Sequence, residues 1–240
     1  MEPDKIIYWI IQEQRSFSDL NWLTISEELY LQTLRFPKRR EEWLAGRWLA
    51  KNLLVMVSDT LSDTPLNEIS IEKKSDGSPF AVWKGNILPG SISISHRSGF
   101  IAAAWTPCSE FRIGIDLELV EPKAISFIED YFTRNEKETV LNQEPEKQAC
   151  VSSLIWSAKE AVMKAMHTGL SIDTRQVEFG FFPVDHNITW QSLCVIHFPE
   201  KSNNADLYWQ RQGEIIISLA VLSQKEQLER LPKIKIKQIT

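Results

Sequence analysis

Phe111-Arg112-Ile113-Gly114-Ile115-Asp116-Leu117-Glu118-Leu119-Val120 is the stretch on which the reading of this chain turns. Phe111, Ile113, Ile115, Leu117 and Leu119 share one parity, while Arg112, Gly114, Asp116 and Glu118 share the other. That alternation specifies a β-strand with one buried face, and Pro122 limits its length. The opposite face carries two carboxylates, about 6.6 Å apart along the strand at the usual rise per residue. Carboxylates so placed repel each other unless a cation or several donors sit between them. Hard oxygen ligands of this kind suit Mg²⁺, which takes one or two carboxylates and fills its remaining positions with waters and substrate phosphates. Gly114, on the same face, leaves room for something bulky beside them.

Downstream of this strand, 133–142 reads as a helix with Thr133 and Glu136 forming a capping box. A longer helix runs from Val151 to about His167 and is ended by Gly169. Leu154, Ala158, Ala161, Val162 and Ala165 form its apolar stripe, and Trp156, Lys159, Glu160, Met163 and Lys164 project from the other side. Glu160 and Lys164 are one helical turn apart and face alike. Strand-like pieces follow (VEFGFF, ITWQSLCVIHF, ADLYWQR, EIIISLAVL), then a basic tail with Lys233, Lys235 and Lys237.

Upstream, 36–58 reads as a helix opened by Pro37, with Arg40, Arg47 and Lys51 stacked as a basic stripe. Strand-like pieces follow, including SISISH and GFIAAAW as a hairpin, and Pro107-Cys108 marks a lobe boundary. No repeat of fixed period is evident. The order of elements predicts an α+β fold with antiparallel strands and a long helix in each half. The expected division is 1–108 and 109–240.

The bulk numbers exclude several classes. A net charge of −5 with a pI near 5.5 lacks the basic footprint of a nucleic-acid binder. No apolar run approaches the roughly 20 residues needed to cross a bilayer, and acids precede the N-terminal apolar stretch, against a secretory signal. Three scattered cysteines fit a reduced, cytoplasmic protein better than a disulfide framework or a metal knuckle.

Ile113-Gly114-Ile115-Asp116-Leu117-Glu118, taken with Trp156-Ser157-Ala158-Lys159-Glu160-Ala161-Val162-Met163-Lys164, resembles the two-part signature of the 4′-phosphopantetheinyl transferase superfamily. Three further stretches look like family features. Arg39-Arg40-Glu41-Glu42-Trp43-Leu44-Ala45-Gly46-Arg47 looks like its N-terminal arginine helix, Asp76-Gly77-Ser78-Pro79 like its G-K-P turn, and Ile92-Ser93-Ile94-Ser95-His96 like its S-x-S-H strand end. The length is that of the surfactin-type, two-lobed branch.

The resemblance implies two pseudo-twofold lobes, each an antiparallel sheet on a long helix, with coenzyme A in the cleft between them. It implies a monomer that moves the 4′-phosphopantetheine arm of coenzyme A to a serine of an apo acyl or peptidyl carrier protein, releasing 3′,5′-ADP. The first lobe would contact the nucleotide and the second would carry the metal and the catalytic helix. Asp116, Glu118 and Glu160 would hold Mg²⁺, while Lys159 and Lys164 would meet the phosphates. Arg40, Arg47, Ser95 and His96 would bind the 3′-phosphate and adenine end. Glu160, a metal-bound water and Glu136 stand as candidate bases for the serine hydroxyl. The lysine of the G-K-P turn is Ser78 here, which leaves Lys73, Lys74 or Lys84 to substitute. Two other readings are a pyrophosphate hydrolase using water on the same acidic cluster and a catalytically silent, coenzyme A-binding scaffold.

Overall fold

A computed structural model describes residues 5–180, 189–199, 205–223 and 234–240. The chain divides into two compact units, 1–111 with 232–240, and 112–231.

The first unit opens with strand β1 (Lys5–Glu13) and helices α1 (Ile25–Thr33) and α2 (Pro37–Val57). Thr24 caps α1 reciprocally with Glu27, and Pro37 occupies the first turn of α2, where its missing N–H costs nothing. Strands β2 (Ile69–Lys73), β3 (Pro79–Trp83) and β4 (Asn86–Ile87) form a small antiparallel sheet. Strands β5 (Ser91–Arg97) and β6 (Phe100–Thr106) form the expected hairpin, and β1 pairs antiparallel with β6. Ala45, Leu49 and Leu53 of α2 pack on Ile10, Ile101 and Ala103 of this sheet.

The second unit begins with β7 (Phe111–Leu119), followed by α3 (Ile125–Tyr131), α4 (Arg134–Leu141) and α5 (Pro145–Met166). Then come β8 (Glu178–Gly180), β9 (Gln191–His197), β10 (Ala205–Gln212) and β11 (Ile215–Ser223), in a sheet of order β7-β11-β10-β9-β8. Leu154, Ala158, Ala161, Val162 and Ala165, the stripe expected of α5, pack with Phe179, Leu207, Trp209 and Ile216. The Thr133–Glu136 capping box is formed. Helix α5 starts earlier than its periodicity suggests, at Pro145, and ends with His167 in the left-handed region at φ 60°.

One expectation is revised. The tail does not stay with the second unit: β12 (Ile234–Gln238) pairs in parallel with β1, extending the first sheet to β12-β1-β6-β5. That division therefore differs from 1–108 and 109–240, and one parallel pairing interrupts the antiparallel pattern. Lys233 lies outside the described residues, while Lys235 and Lys237 sit on β12.

The two units also repeat one plan, as the expected pair of related lobes requires. Both units run strand, short capped helix, long proline-led helix and further strands, the second with α3 added after its first strand. Trp48-Leu49-Ala50-Lys51-Asn52 in α2 matches Trp156-Ser157-Ala158-Lys159-Glu160 in α5, each lysine fourteen residues after the leading proline. The chain is thus an α+β fold built from a duplicated plan. Among the described residues no helix is long and apolar enough to cross a membrane.

Candidate functional site

β7 lies at the edge of its sheet, and both of its faces are buried, because α5 covers the face that carries the carboxylates. The cause is Gly114. A Cβ built there would stand 1.9 Å from the Ala161 carbonyl oxygen and 2.7 Å from the Ala165 nitrogen. The room that Gly114 provides is therefore taken by the backbone of α5 itself. Two residues further along the strand, Asp116 meets the last turns of that helix.

Lys164 Nζ donates to Asp116 Oδ1 at 2.7 Å and to the Ile115 carbonyl at 3.1 Å. Asp116 and Glu118 are only 4% and 6% exposed. Glu118 Oε2 accepts from Lys123 Nζ at 3.0 Å, and Lys123 also reaches Glu121. Burial, reinforced by the charges of Asp116 and Glu118 and opposed by Lys164, raises the Glu160 carboxyl to about 7. The structure thus brings Asp116, Glu118, Glu160 and Lys164 to one wall of the second unit, with their charges coupled.

The donor set suits a hard divalent cation: three carboxylates on one wall, one of them raised to about 7 by burial and then by the charges of its neighbours. Among the described residues no three of His, Cys, Asp and Glu are gathered closely enough to hold an ion as the side chains lie. Two of the three acids each give one oxygen to a lysine, Asp116 Oδ1 to Lys164 and Glu118 Oε2 to Lys123. Lys123 was not visible as a site residue in the sequence. It follows Pro122 outside the strand, and only the return of the chain at Glu121 brings its ammonium to Glu118.

Lys159 does not join this wall, contrary to the expected phosphate contact. It is fully buried, with Nζ 2.9 Å from Glu136 Oε2, and donates to the carbonyls of Thr174 (2.8 Å) and Val177. Glu136 also accepts from the Thr133 and Phe179 amides and is itself fully buried, so it is not placed to take a proton from a substrate. Trp156, the opening residue of the signature, packs edge-on against Phe127 and Tyr131 and ties α5 to α3.

In the first unit the expected group of four separates. Ser95 is buried and His96 stands half-exposed at the end of β5. The neighbour that α2 gives His96 is Arg39, whose Nη1 lies 3.2 Å from Nε2, with Glu42 at 3.6 Å. Gly46 lets α2 approach β5 there, an added Cβ standing 3.0 Å from Ile94. Arg40 points elsewhere: its Nη1 donates to the carbonyls of Leu31 (2.5 Å) and Leu34 (3.3 Å), closing the end of α1. The basic stripe of the sequence selected Arg40 because it shares a helix face with Arg47. Arg39, on the adjacent face, carries the contact.

Arg47 is buried over the Trp43 ring at 4.8 Å, and desolvation lowers its guanidinium to about 10 despite Glu27 and Tyr30. It lines a cavity of about 280 Å³ with Tyr30, Trp43, Ile71, Glu72 and Lys73 among its walls. Lys73 extends over the Tyr30 ring at 5.6 Å, whereas Lys84 lies on Trp83 at 4.5 Å. Ser78 is buried in its turn, its amide bonded to Asp76 Oδ1 at 2.8 Å.

Comparison with known proteins finds a family and several relatives. The family described as the 4′-phosphopantetheinyl transferase superfamily matches residues 112–218. The L-aminoadipate-semialdehyde dehydrogenase-phosphopantetheinyl transferase of Mus musculus is 26% identical over 174 residues, covering 67% of this chain and 54% of that protein. The 4′-phosphopantetheinyl transferase psf-1 of Bacillus pumilus is 27% identical over 107 residues, covering 45% and 43%. The 4′-phosphopantetheinyl transferase pptA of Paxillus involutus is 25% identical over 192 residues, with 72% of each covered. The chain spans about half the length of the first curated relatives it matches. A holo-(acyl-carrier-protein) synthase structure from Bacillus anthracis aligns with 47% of this chain and 96% of its own, at 21% identity and a TM-score of 0.38. The matched segment, residues 112–218, holds the strand and helix described above and is similar to the 4′-phosphopantetheinyl transferase superfamily.

Proposed function

We propose that this chain transfers the 4′-phosphopantetheine arm of coenzyme A to a serine of an apo acyl or peptidyl carrier protein, with Mg²⁺, releasing 3′,5′-ADP. The observation that carries the reading is the wall of Asp116, Glu118 and Glu160 with Lys164 at the strand–helix contact that Gly114 permits. The names of the curated relatives support the same reaction class.

Asp116, Glu118 and Glu160 would hold the Mg²⁺. That ion would supply positive charge to the pyrophosphate oxygens, on which negative charge gathers during attack. Lys164, partly exposed beside Asp116, would bind and orient the phosphates. Glu160, or a water beside the ion, would take the serine proton. Arg39, Ser95 and His96, together with the cavity of Arg47, Tyr30, Trp43 and Lys73, would receive the adenine and 3′-phosphate end. An aromatic wall beside two cations suits a phosphorylated nucleoside. The enzyme would act as a cytoplasmic monomer, a reading supported by its three free cysteines and by two units in one chain.

The test is the intact mass of an apo carrier protein incubated with the enzyme, coenzyme A and Mg²⁺. One phosphopantetheine should be gained, and the gain should vanish with EDTA and fall at least about 100-fold in Glu160→Gln. Coenzyme A binding without transfer to fatty acid, polyketide or peptide carriers would instead support a silent scaffold. That reading has one observation in its favour, the buried Ser78 where a phosphate-binding lysine is expected.

A further inference from the structure

Lys159 immediately precedes Glu160 on α5, yet its ammonium points into the protein. Three acceptors surround it: Glu136 Oε2, the Thr174 carbonyl and the Val177 carbonyl. An ammonium has three N–H donors, so this set fills it and leaves none for a phosphate. Each acceptor belongs to a different piece of the second unit. Glu136 is in the first turn of α4, Thr174 lies in a short turn after α5, and Val177 leads into β8.

The same device recurs in the first unit, where the chain carries different residues beside it. Lys51 of α2 is fully buried and ion-paired with Glu27, and it donates to the Trp22 carbonyl at 3.0 Å. Glu27, like Glu136, occupies the third position of a capping box, and its Oε1 accepts a strand amide, that of Ile71, at 3.0 Å. The residues that follow diverge. Asn52 stands where α5 has Glu160, and Met56 where α5 has Lys164. The buried pair is therefore kept on a helix that lacks the reactive residues, which marks it as a device for seating the helix.

We propose, resting on the transferase reading above, that Lys159 is a positioning residue. Its ion pair with Glu136 fixes the rotation of α5, so that Glu160 and Lys164 face Asp116 and Glu118 across the Gly114 contact. Adjacent helical residues point about 100° apart, so clamping one clamps the direction of the next. The Gly114–Ala161 approach sets the distance between strand and helix, and Lys159 sets the angle.

The experiment compares Lys159→Met, the double variant Glu136→Leu/Lys159→Met and Lys51→Met. Each is measured for kcat and KM with coenzyme A, for coenzyme A affinity by calorimetry and for Tm. Lys159→Met leaves Glu136 buried without its partner, so Tm should fall, and kcat should fall about tenfold or more through misplacement of Glu160. Coenzyme A affinity should stay within about twofold, because no ligand contact is lost. The double variant removes both charges and should recover Tm and part of kcat, since an apolar pair of similar volume can seat a helix equally well. Lys51→Met should lower Tm without the loss in kcat. A phosphate-binding Lys159 predicts the reverse, with coenzyme A affinity lost in Lys159→Met and still lost in the double variant. That result, or an equal kcat loss in Lys51→Met, overturns the proposal. Should Lys159→Met fail to fold, the double variant decides alone: native Tm with weakened coenzyme A binding overturns it, and native Tm with unchanged binding upholds it. If the wild type binds coenzyme A but transfers nothing, the reaction assignment fails while the Tm and calorimetric arms still test the seating role.

Discussion

At the residue scale, Gly114 and Glu160 have separate and measurable jobs. Alanine at 114 would place a methyl group inside the backbone of α5. Strand and helix must then separate, which should cost about 1–3 kcal/mol or more. Chemical denaturation of Gly114→Ala should show that loss, and carrier-protein transfer should fall with it, since Asp116 and Lys164 are no longer held at bonding distance.

Glu160 gives a pH prediction. Its carboxyl rises on folding to about 7, chiefly through burial and then through the charges of Asp116 and Glu118. A group raised in this way stabilises the fold fully below its unfolded pKa and loses that contribution as pH climbs through the folded value. Urea unfolding with EDTA present should therefore show a lower midpoint at pH 8 than at pH 5. Glu160→Gln should shrink the difference, and Mg²⁺ should restore the midpoint at pH 8. An unchanged profile in Glu160→Gln would place the titration elsewhere.

At the element scale, the legible parts were those with a local cause. The parity of β7, the Thr133–Glu136 capping box and the apolar stripe of α5 are each written within one or two turns of chain. So is the one-turn Glu160–Lys164 spacing. What escaped depends on distant residues. Amphipathic reasoning sends a lysine opposite the apolar stripe to solvent, and only Glu136 on another helix turns Lys159 inward. The carboxylate face of β7 reads as open for the same reason, because the element covering it lies more than forty residues downstream. Arg40 and Arg39 exchanged roles because helix periodicity groups residues by face but does not say which face meets β5. The duplicated W-x-A-K pattern was visible in the letters, but one pair of short strings has no periodicity for a repeat search to find.

On the scale of the whole molecule, the first unit is assembled from both ends of the chain and the second from one continuous stretch, 112–231. β12 covers the side of β1 that does not pair with β6. Deleting 234–240 should uncover that edge, a row of unpaired backbone groups beside Ile7 and Trp9. The expected outcome is a lower Tm and concentration-dependent aggregation, read by light scattering, with the β7–α5 wall of the second unit unaltered in its Mg²⁺ response. Retention of full stability after the deletion would mean that β12 is an ornament of the sheet.

The two long helices also bear on mutational tolerance. Both helices must be seated by a buried lysine pair, while only α5 carries Glu160 and Lys164 after it. Lys51 and Asn52 are neighbours under different constraints: one answers to Glu27 in the interior, and the other stands where α5 carries Glu160. Mutational tolerance should change abruptly between two adjacent codons, with position 51 accepting almost nothing and position 52 accepting much.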